Sequence, residues 1–306
     1  MIKVDLITGL LGSGKTTFLK KYAEHLVNSG EKVGVLENDY GAVNVDMMLL
    51  CELEKIGCQL ETVAGACDYD CHKRRFKTKL IAMGMSGLSR VIIEPSGIFD
   101  VDEFFDTLHE EPLDKWYEIG SVITVIDPTY TGDISKQSRY LLASQTASAG
   151  IVIFSKTLLV KNNDIDLKIS QVNSALEEFK SERRLTDDII LKPWNELNDA
   201  DFEKVKNGGC LLGETVKLSP DDASYSSLYF MNTGLSKTNA EQIARSILTD
   251  KACGDVHRVK GFIKDKIWYE LNATSAQTEV KPIDNGQDII IVIGENLVEK
   301  NINAYF

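Results

Sequence analysis

Residues 9–17 read Gly-Leu-Leu-Gly-Ser-Gly-Lys-Thr-Thr, a set of residue types and spacings suited to gripping phosphate. Gly9, Gly12 and Gly14 let the backbone aim several N–H groups at one point, because glycine enters conformations closed to other residues. Ser13 sits among them. Lys15 offers a long cation to the β and γ phosphates, and Thr16, followed by Thr17, offers a hydroxyl to Mg²⁺. An apolar run from Val4 to Ile7 precedes the segment, and apolar residues recur after it at helical spacing, from Phe18 through Tyr22 to Val27. A strand, a glycine turn and a helix start in that order make an anion cradle, since free N–H groups and the positive end of the helix dipole meet there. These nine residues predict binding of a nucleoside triphosphate.

Two further segments carry oxygen ligands. Val91-Ile92-Ile93-Glu94-Pro95-Ser96-Gly97 is an apolar strand ending in a carboxylate and a turn. In a protein with a phosphate loop, Glu94 is placed to hold a water of the metal or to orient the attacking water, and the Gly97 N–H to report on the γ phosphate. Asn38-Asp39-Tyr40-Gly41 follows the strand Val33 to Glu37 and brings Asp39 toward Mg²⁺, a hard cation that takes oxygen ligands. Asp46 reads equally as a ligand in the same region or as a helix cap.

The elements that must position these residues alternate along the chain. Strands are expected at 2–8, 33–37, 58–63, 90–94, 121–127, 150–154 and 188–192, and helices at 15–29, 43–55, 70–85, 101–110, 134–148, 165–180 and 199–207. Continuously apolar strands such as Val91-Ile92-Ile93 and Ile151-Val152-Ile153 imply a mainly parallel sheet covered by helices on both faces. The motifs all fall at carboxyl ends of such strands, where open α/β sheets bind ligands. The fold expected is an α/β P-loop NTPase domain over 1–215. After the turn-rich Ser219-Pro220-Asp221-Asp222, a smaller α+β domain is expected over 222–306. Its elements are a strand at 227–232, a helix at 236–250, strands near 256–263, 266–273 and 288–293, and a closing helix at 295–304.

A chain of 306 residues, 43% hydrophobic, supports one substantial core and a smaller one. Its net charge of −12 argues against nucleic acid or an anionic membrane as partner. No signal-peptide or membrane-spanning pattern is present, so a cytoplasmic protein is expected. Six cysteines in such a chain read as free thiols or ligands rather than a disulfide framework. The basic stretch His72-Lys73-Arg74-Arg75, with Lys77 and Lys79, reads as a solvated helix face before it reads as an anion site.

Taken in order, the phosphate loop, Asn38-Asp39-Tyr40-Gly41 through Asp46, Glu94-Pro95-Ser96-Gly97 and Val125-Ile126-Asp127 resemble the CobW-type P-loop GTPases, relatives of the urease and hydrogenase nickel-insertion GTPases. Val256-His257-Arg258-Val259-Lys260-Gly261-Phe262 and Ile290-Ile291-Val292-Ile293-Gly294 resemble that family's C-terminal domain. The resemblance implies a triphosphate-dependent role in delivering a metal or metal cofactor to a client metalloprotein or corrinoid protein. It implies Mg²⁺ at the nucleotide, Zn²⁺ or another transition metal nearby, and leaves a homodimer open.

Two departures alter what is implied. Where the family carries Cys-x-Cys-Cys, this chain has Cys67 and Cys71, four residues apart, with Asp70 and His72 beside them and Cys51 and Cys58 elsewhere. The pair holds a soft or borderline ion if a partner's ligands complete it, or serves as a redox-sensitive thiol pair, and otherwise reads as a remnant of a lost site. Ala42 stands where the family has a carboxylate. The family's guanine-reading Asn-Lys-x-Asp becomes Ser155-Lys156-Thr157-Leu158. Lys156 still lays its stem along a base, but Leu158 accepts no hydrogen bond, and Asp164 is the acid left to weigh in its place. Trp194, in Lys192-Pro193-Trp194-Asn195-Glu196, either stacks on the base or packs internally. GTP or ATP is therefore the expected substrate. A GTPase metallochaperone, an ATP-using activator of a corrinoid or other metalloenzyme, and a scaffold without turnover are the three readings.

Overall fold

The computed structural model describes residues 1–38, 45–63, 69–99, 101–129, 134–186, 189–211, 213, 215–216, 225–284 and 286–306. The chain forms two compact units, Met1–Leu218 and Ser219–Phe306. The first runs β1 (Ile2–Thr8), α1 (Lys15–Asn28), β2 (Val33–Asn38), α2 (Val45–Lys55), β3 (Gln59–Val63), α3 (Tyr69–Gly84), β4 (Arg90–Pro95), α4 (Val101–Leu108) and α5 (Leu113–Trp116). It continues with β5 (Tyr117–Ile126), α6 (Lys136–Ala147), β6 (Ile151–Phe154), α7 (Asn162–Glu178), β7 (Ile189–Ile190) and α8 (Asp199–Lys206).

The seven strands form one sheet in the order β3-β2-β4-β1-β5-β6-β7, and every pairing is parallel. Strand periodicity explains the two covered faces. Val33, Val35, Ile123 and Val125 pack with Phe18, Leu19 and Tyr22 of α1 in one core. The intervening Gly34 faces Met83 of α3, and Thr124 is bonded by α6 through Gln145 O, both on the opposite face. The doubly covered parallel sheet read from the sequence is the one observed. β4 lies between β2 and β1, so the chain crosses to β1's other side to form β5, and ligands of open α/β sheets sit beside such reversals.

A polar network pins α1 to the amino end of this sheet. Asp5, fully buried, accepts from Arg90 Nη1 at 2.7 Å, from the Tyr22 hydroxyl at 2.7 Å and from the Ser121 N–H at 2.8 Å. Burial and the Asp5 carboxylate push the Tyr22 phenol's pKa up, so it stays a donor.

The second unit runs β8 (Tyr225–Met231), α9 (Lys237–Thr249), β9 (Asp255–Lys264), β10 (Trp268–Thr274), β11 (Thr278–Ile283), β12 (Ile289–Glu295) and α10 (Glu299–Asn303). Its antiparallel sheet has the order β11-β10-β9-β12-β8. Ala240, Ala244 and Ile247 of α9 pack on Val259, Ile263, Leu271 and Val292. Two details differ from expectation. β11 was not foreseen, because Thr-Glu-Val-Lys-Pro-Ile is a polar edge strand containing proline. The closing helix is shorter than 295–304, because Gly294 and Glu295 extend β12 and helix begins only at Glu299.

Candidate functional site

β1 ends at Thr8 and the chain turns through Gly9, Gly12 and Gly14, whose φ angles of 143°, 75° and 97° are open to glycine. A Cβ at Gly9 would lie 2.2 Å from Val125 O, so the loop touches β5 where it leaves the sheet. Gly14 precedes α1, and the Phe18 N–H donates to its carbonyl at 3.0 Å. Lys15 folds back over the loop, and its buried Nζ donates to Gly9 O at 2.9 Å and Leu10 O at 3.4 Å. Ser13 is 1% exposed, its hydroxyl lies against Gly9, and among the described residues it has no hydrogen-bond partner. Thr17 is exposed.

Thr16 Oγ1 donates to Glu94 Oε1 at 2.7 Å, joining the first turn of α1 to the end of β4. Glu94 is 5% exposed and stands opposite Glu37 in the β2–β4 register. Next to it, the turn at 96–99 presses on the phosphate loop, for a Cβ at Gly97 would lie 2.5 Å from Leu11 N. Hydroxyl and carboxylate oxygens beside a glycine cradle fit a hard divalent ion accompanying phosphate. Asp39 lies outside the described residues. Asp46 falls in the first turn of α2.

At the ends of β5 and β6, Lys156 Nζ donates to Gly12 O at 3.0 Å and to Asp127 Oδ2. These bonds hold Lys156 at a φ of 49°, a left-handed conformation that costs a lysine about 1–2 kcal/mol. Ser155 donates to Ile126 O and lies beside Gly14. Leu158 is 72% and Leu159 62% exposed, an apolar tip at the position where the resemblance has a base-reading acid. Asp164 caps α7, its Oδ2 accepting from the Lys161 N–H at 2.9 Å. Trp194 packs on Phe18, ring centroids 5.4 Å apart, and flanks Gly14, so it belongs to the core beside the loop.

Cys67 lies outside the described residues. Cys71 is partly exposed on α3, His72 beside it is buried, Cys51 is exposed on α2, and burial raises the Cys58 thiol to about 11. Among the described residues, no group of three or more His, Cys, Asp or Glu is arranged to hold a metal ion. The basic stretch on α3 is a paired helix face, since Lys73 and Lys77 meet Glu110 and Lys79 meets Glu61. One residue of the site went unnoticed in the sequence: Gln145, fully buried on α6, donates through Nε2 to Gly97 O at 3.1 Å and Phe99 O at 3.4 Å. The sequence signal for it is weak, because Gln145 is flanked by Ser144 and Thr146 and nothing in their order shows that all three are buried.

The chain is similar to the zinc chaperone YeiR of Escherichia coli, 29% identical over 158 residues, which is 51% of this chain and 47% of the relative. It is also similar to the zinc chaperone YjiA of the same organism, 28% identical over 166 residues, 51% and 49% of the two chains. The match thus spans about half the length of these curated relatives. The crystal structure of Zn(II)-bound YjiA GTPase from E. coli aligns with 100% of this chain and 98% of that one, at 17% identity and a TM-score of 0.39. That likeness is too loose to add to the strand order already described. Among the described residues no helix is long and apolar enough to cross a membrane. The model of the CobW/HypB/UreG nucleotide-binding domain matches residues 3–186, more than half the chain, from within β1 to beyond α7, and the protein belongs to that family.

Proposed function

We propose that this protein is a Mg²⁺-dependent nucleoside triphosphatase, a GTPase, whose hydrolysis switches the delivery of a metal ion to a client metalloprotein in the cytoplasm. The observation that carries the reading is the joining of Thr16 to Glu94 beside a glycine loop over which Lys15 is folded. On this reading Lys15 leaves the carbonyls of Gly9 and Leu10 for the β and γ phosphate oxygens, and the Ser13 hydroxyl gains a partner. Backbone N–H groups of Gly12, Gly14, Thr16 and Thr17 hold the α and β phosphates. Thr16, with Glu94 and Asp39 directly or through water, would hold Mg²⁺, which would supply positive charge against the phosphates. The Gly97 N–H meets the γ phosphate, and Glu94 orients the attacking water. Ser155 and Lys156 border the base.

The zinc-chaperone names of YeiR and YjiA support a transition metal, zinc foremost, as cargo. Cys67 and Cys71 are the thiols to take it, completed by a ligand from the client. The 222–306 segment, with its CobW-like motifs, is the client-facing domain. Exposed Leu158 and the commitment of Asp164 to a helix cap favour a second reading, in which ATP is used as readily as GTP.

The test is equilibrium competition of GTP and ATP against a fluorescent triphosphate, with Mg²⁺ and with Lys15→Ala. A GTP preference abolished by the substitution supports the GTPase. Equal use of ATP moves the second reading first, and binding indifferent to Lys15 refutes both. Zinc affinity measured in the apo, triphosphate and diphosphate forms then tests the delivery role, which fails if all three agree.

A further inference from the structure

We infer that Gln145 is a positioning residue that ties the Ser96–Phe99 turn to α6 and so makes this helix respond to which nucleotide is bound. The inference rests on the nucleotide-site reading above. Gln145 is fully buried, and its Nε2 donates to two carbonyls of the turn, Gly97 O at 3.1 Å and Phe99 O at 3.4 Å. Two facing acceptors fix the amide's orientation, since a flipped amide would set oxygen against oxygen. Among the described residues its Oε1 has no hydrogen-bond partner, so the hydrogen bonds of the side chain run to the turn. The turn itself is braced by Ser96 N donating to Asn38 O at 2.8 Å and Phe99 N donating to Ser96 O at 3.0 Å, and Gly97 touches Leu10 and Leu11.

The backbone of Gln145 is tied to the loop's other end. Thr124 Oγ1 donates to Gln145 O at 2.7 Å, and Thr8 Oγ1 lies 2.9 Å from Thr124 Oγ1. Each hydroxyl has one proton: Thr124 gives its own to Gln145 O, and Thr8, whose Oγ1 also lies 3.3 Å from Ile123 O, donates to Thr124 across the shorter distance. Thr8 is the last residue of β1, directly before Gly9. One residue of α6 therefore holds the turn through its side chain and the entry to the phosphate loop through its carbonyl. A turn that moves when the γ phosphate leaves breaks these buried bonds, and a buried amide left unpaired is costly. The helix must follow the turn or leave buried polar groups unmet.

The experiment measures affinities of a non-hydrolysable GTP analogue and of GDP for the wild-type chain and for Gln145→Met, which keeps the volume and removes both donors. The expected result is an analogue affinity lowered about tenfold with GDP affinity unchanged. An equal fall for both nucleotides, or no fall in either, overturns the inference. Should the substitution unfold the chain, hydrogen exchange on the wild type decides: α6 must exchange differently in the analogue and GDP forms, and identical exchange overturns it. A wild-type chain that binds neither nucleotide refutes the nucleotide-site reading itself, an outcome distinct from all of these.

Discussion

Gly97→Ala tests the proposed site at its tightest contact. Gly97 is not among the residues of positive φ, so alanine fits its backbone and only the added methyl matters. That Cβ would stand 2.5 Å from Leu11 N and 2.9 Å from both Leu10 C and Leu11 Cα. These are backbone atoms, with no rotamer to move away. Turn and phosphate loop must separate by about 0.9 Å to restore an ordinary contact of 3.4 Å. A displacement near 1 Å between a positioning group and the reacting phosphate costs on the order of 10²-fold in rate, about 2.7 kcal/mol of barrier. On the proposed reading the loop amides hold the α and β phosphates; Gly9 lies against β5 and Gly14 opens α1, so the turn is the side expected to yield. Single-turnover phosphate release at saturating GTP should therefore slow about 10²-fold, with GDP affinity within about threefold of wild type. A rate within about threefold of wild type would refute the claim that the turn must sit against the loop. An equal loss of GDP affinity would show that the loop itself had given way.

Leu158→Asp restores an acceptor at the exposed tip beside Lys156. The ratio of GTP to ATP affinity should rise at least about tenfold in the same competition assay, and an unchanged ratio would remove this tip from the base pocket. Lys168 on α7 is 4% exposed and donates to Gln171 Oε1 at 2.8 Å. Burial pulls its pKa from 10.5 to about 8, against the opposing pull of Asp127. Between those two values the unfolded chain holds a proton that the folded one has lost, so stability should rise as pH goes from about 8 to 10.5. Lys168→Met should flatten that rise and stabilise the chain at pH 7 by about 1–3 kcal/mol in urea unfolding. A wild-type curve level across this window would show that Lys168 keeps its charge solvated.

The phosphate loop was legible because its constraints are local. Gly9, Gly12 and Gly14 take φ angles that only glycine enters freely, and Lys15 and Thr16 follow within one helical turn. Glu94 was legible for a related reason: an apolar strand ending in one carboxylate leaves that carboxylate at the sheet's binding edge. What escaped was set by packing between segments far apart in the chain. The motif Glu94-Pro95-Ser96-Gly97 suggests an N–H aimed at phosphate, but not that Gly97 must be glycine to clear Leu11, or that Gln145 holds its carbonyl. Asp164 shows the opposite failure, an acid whose type suited the base pocket but whose place, three residues after Lys161 at a helix start, suited a cap better. The same distinction explains Trp194, since an aromatic after β7 serves a pocket or a core equally well in sequence, and Phe18 at 5.4 Å decides for the core. Chemistry carried by one continuous segment is therefore readable residue by residue. The coupling between segments, on which any switch depends, appears only when β1, β4, β5 and α6 are brought to one end of the sheet.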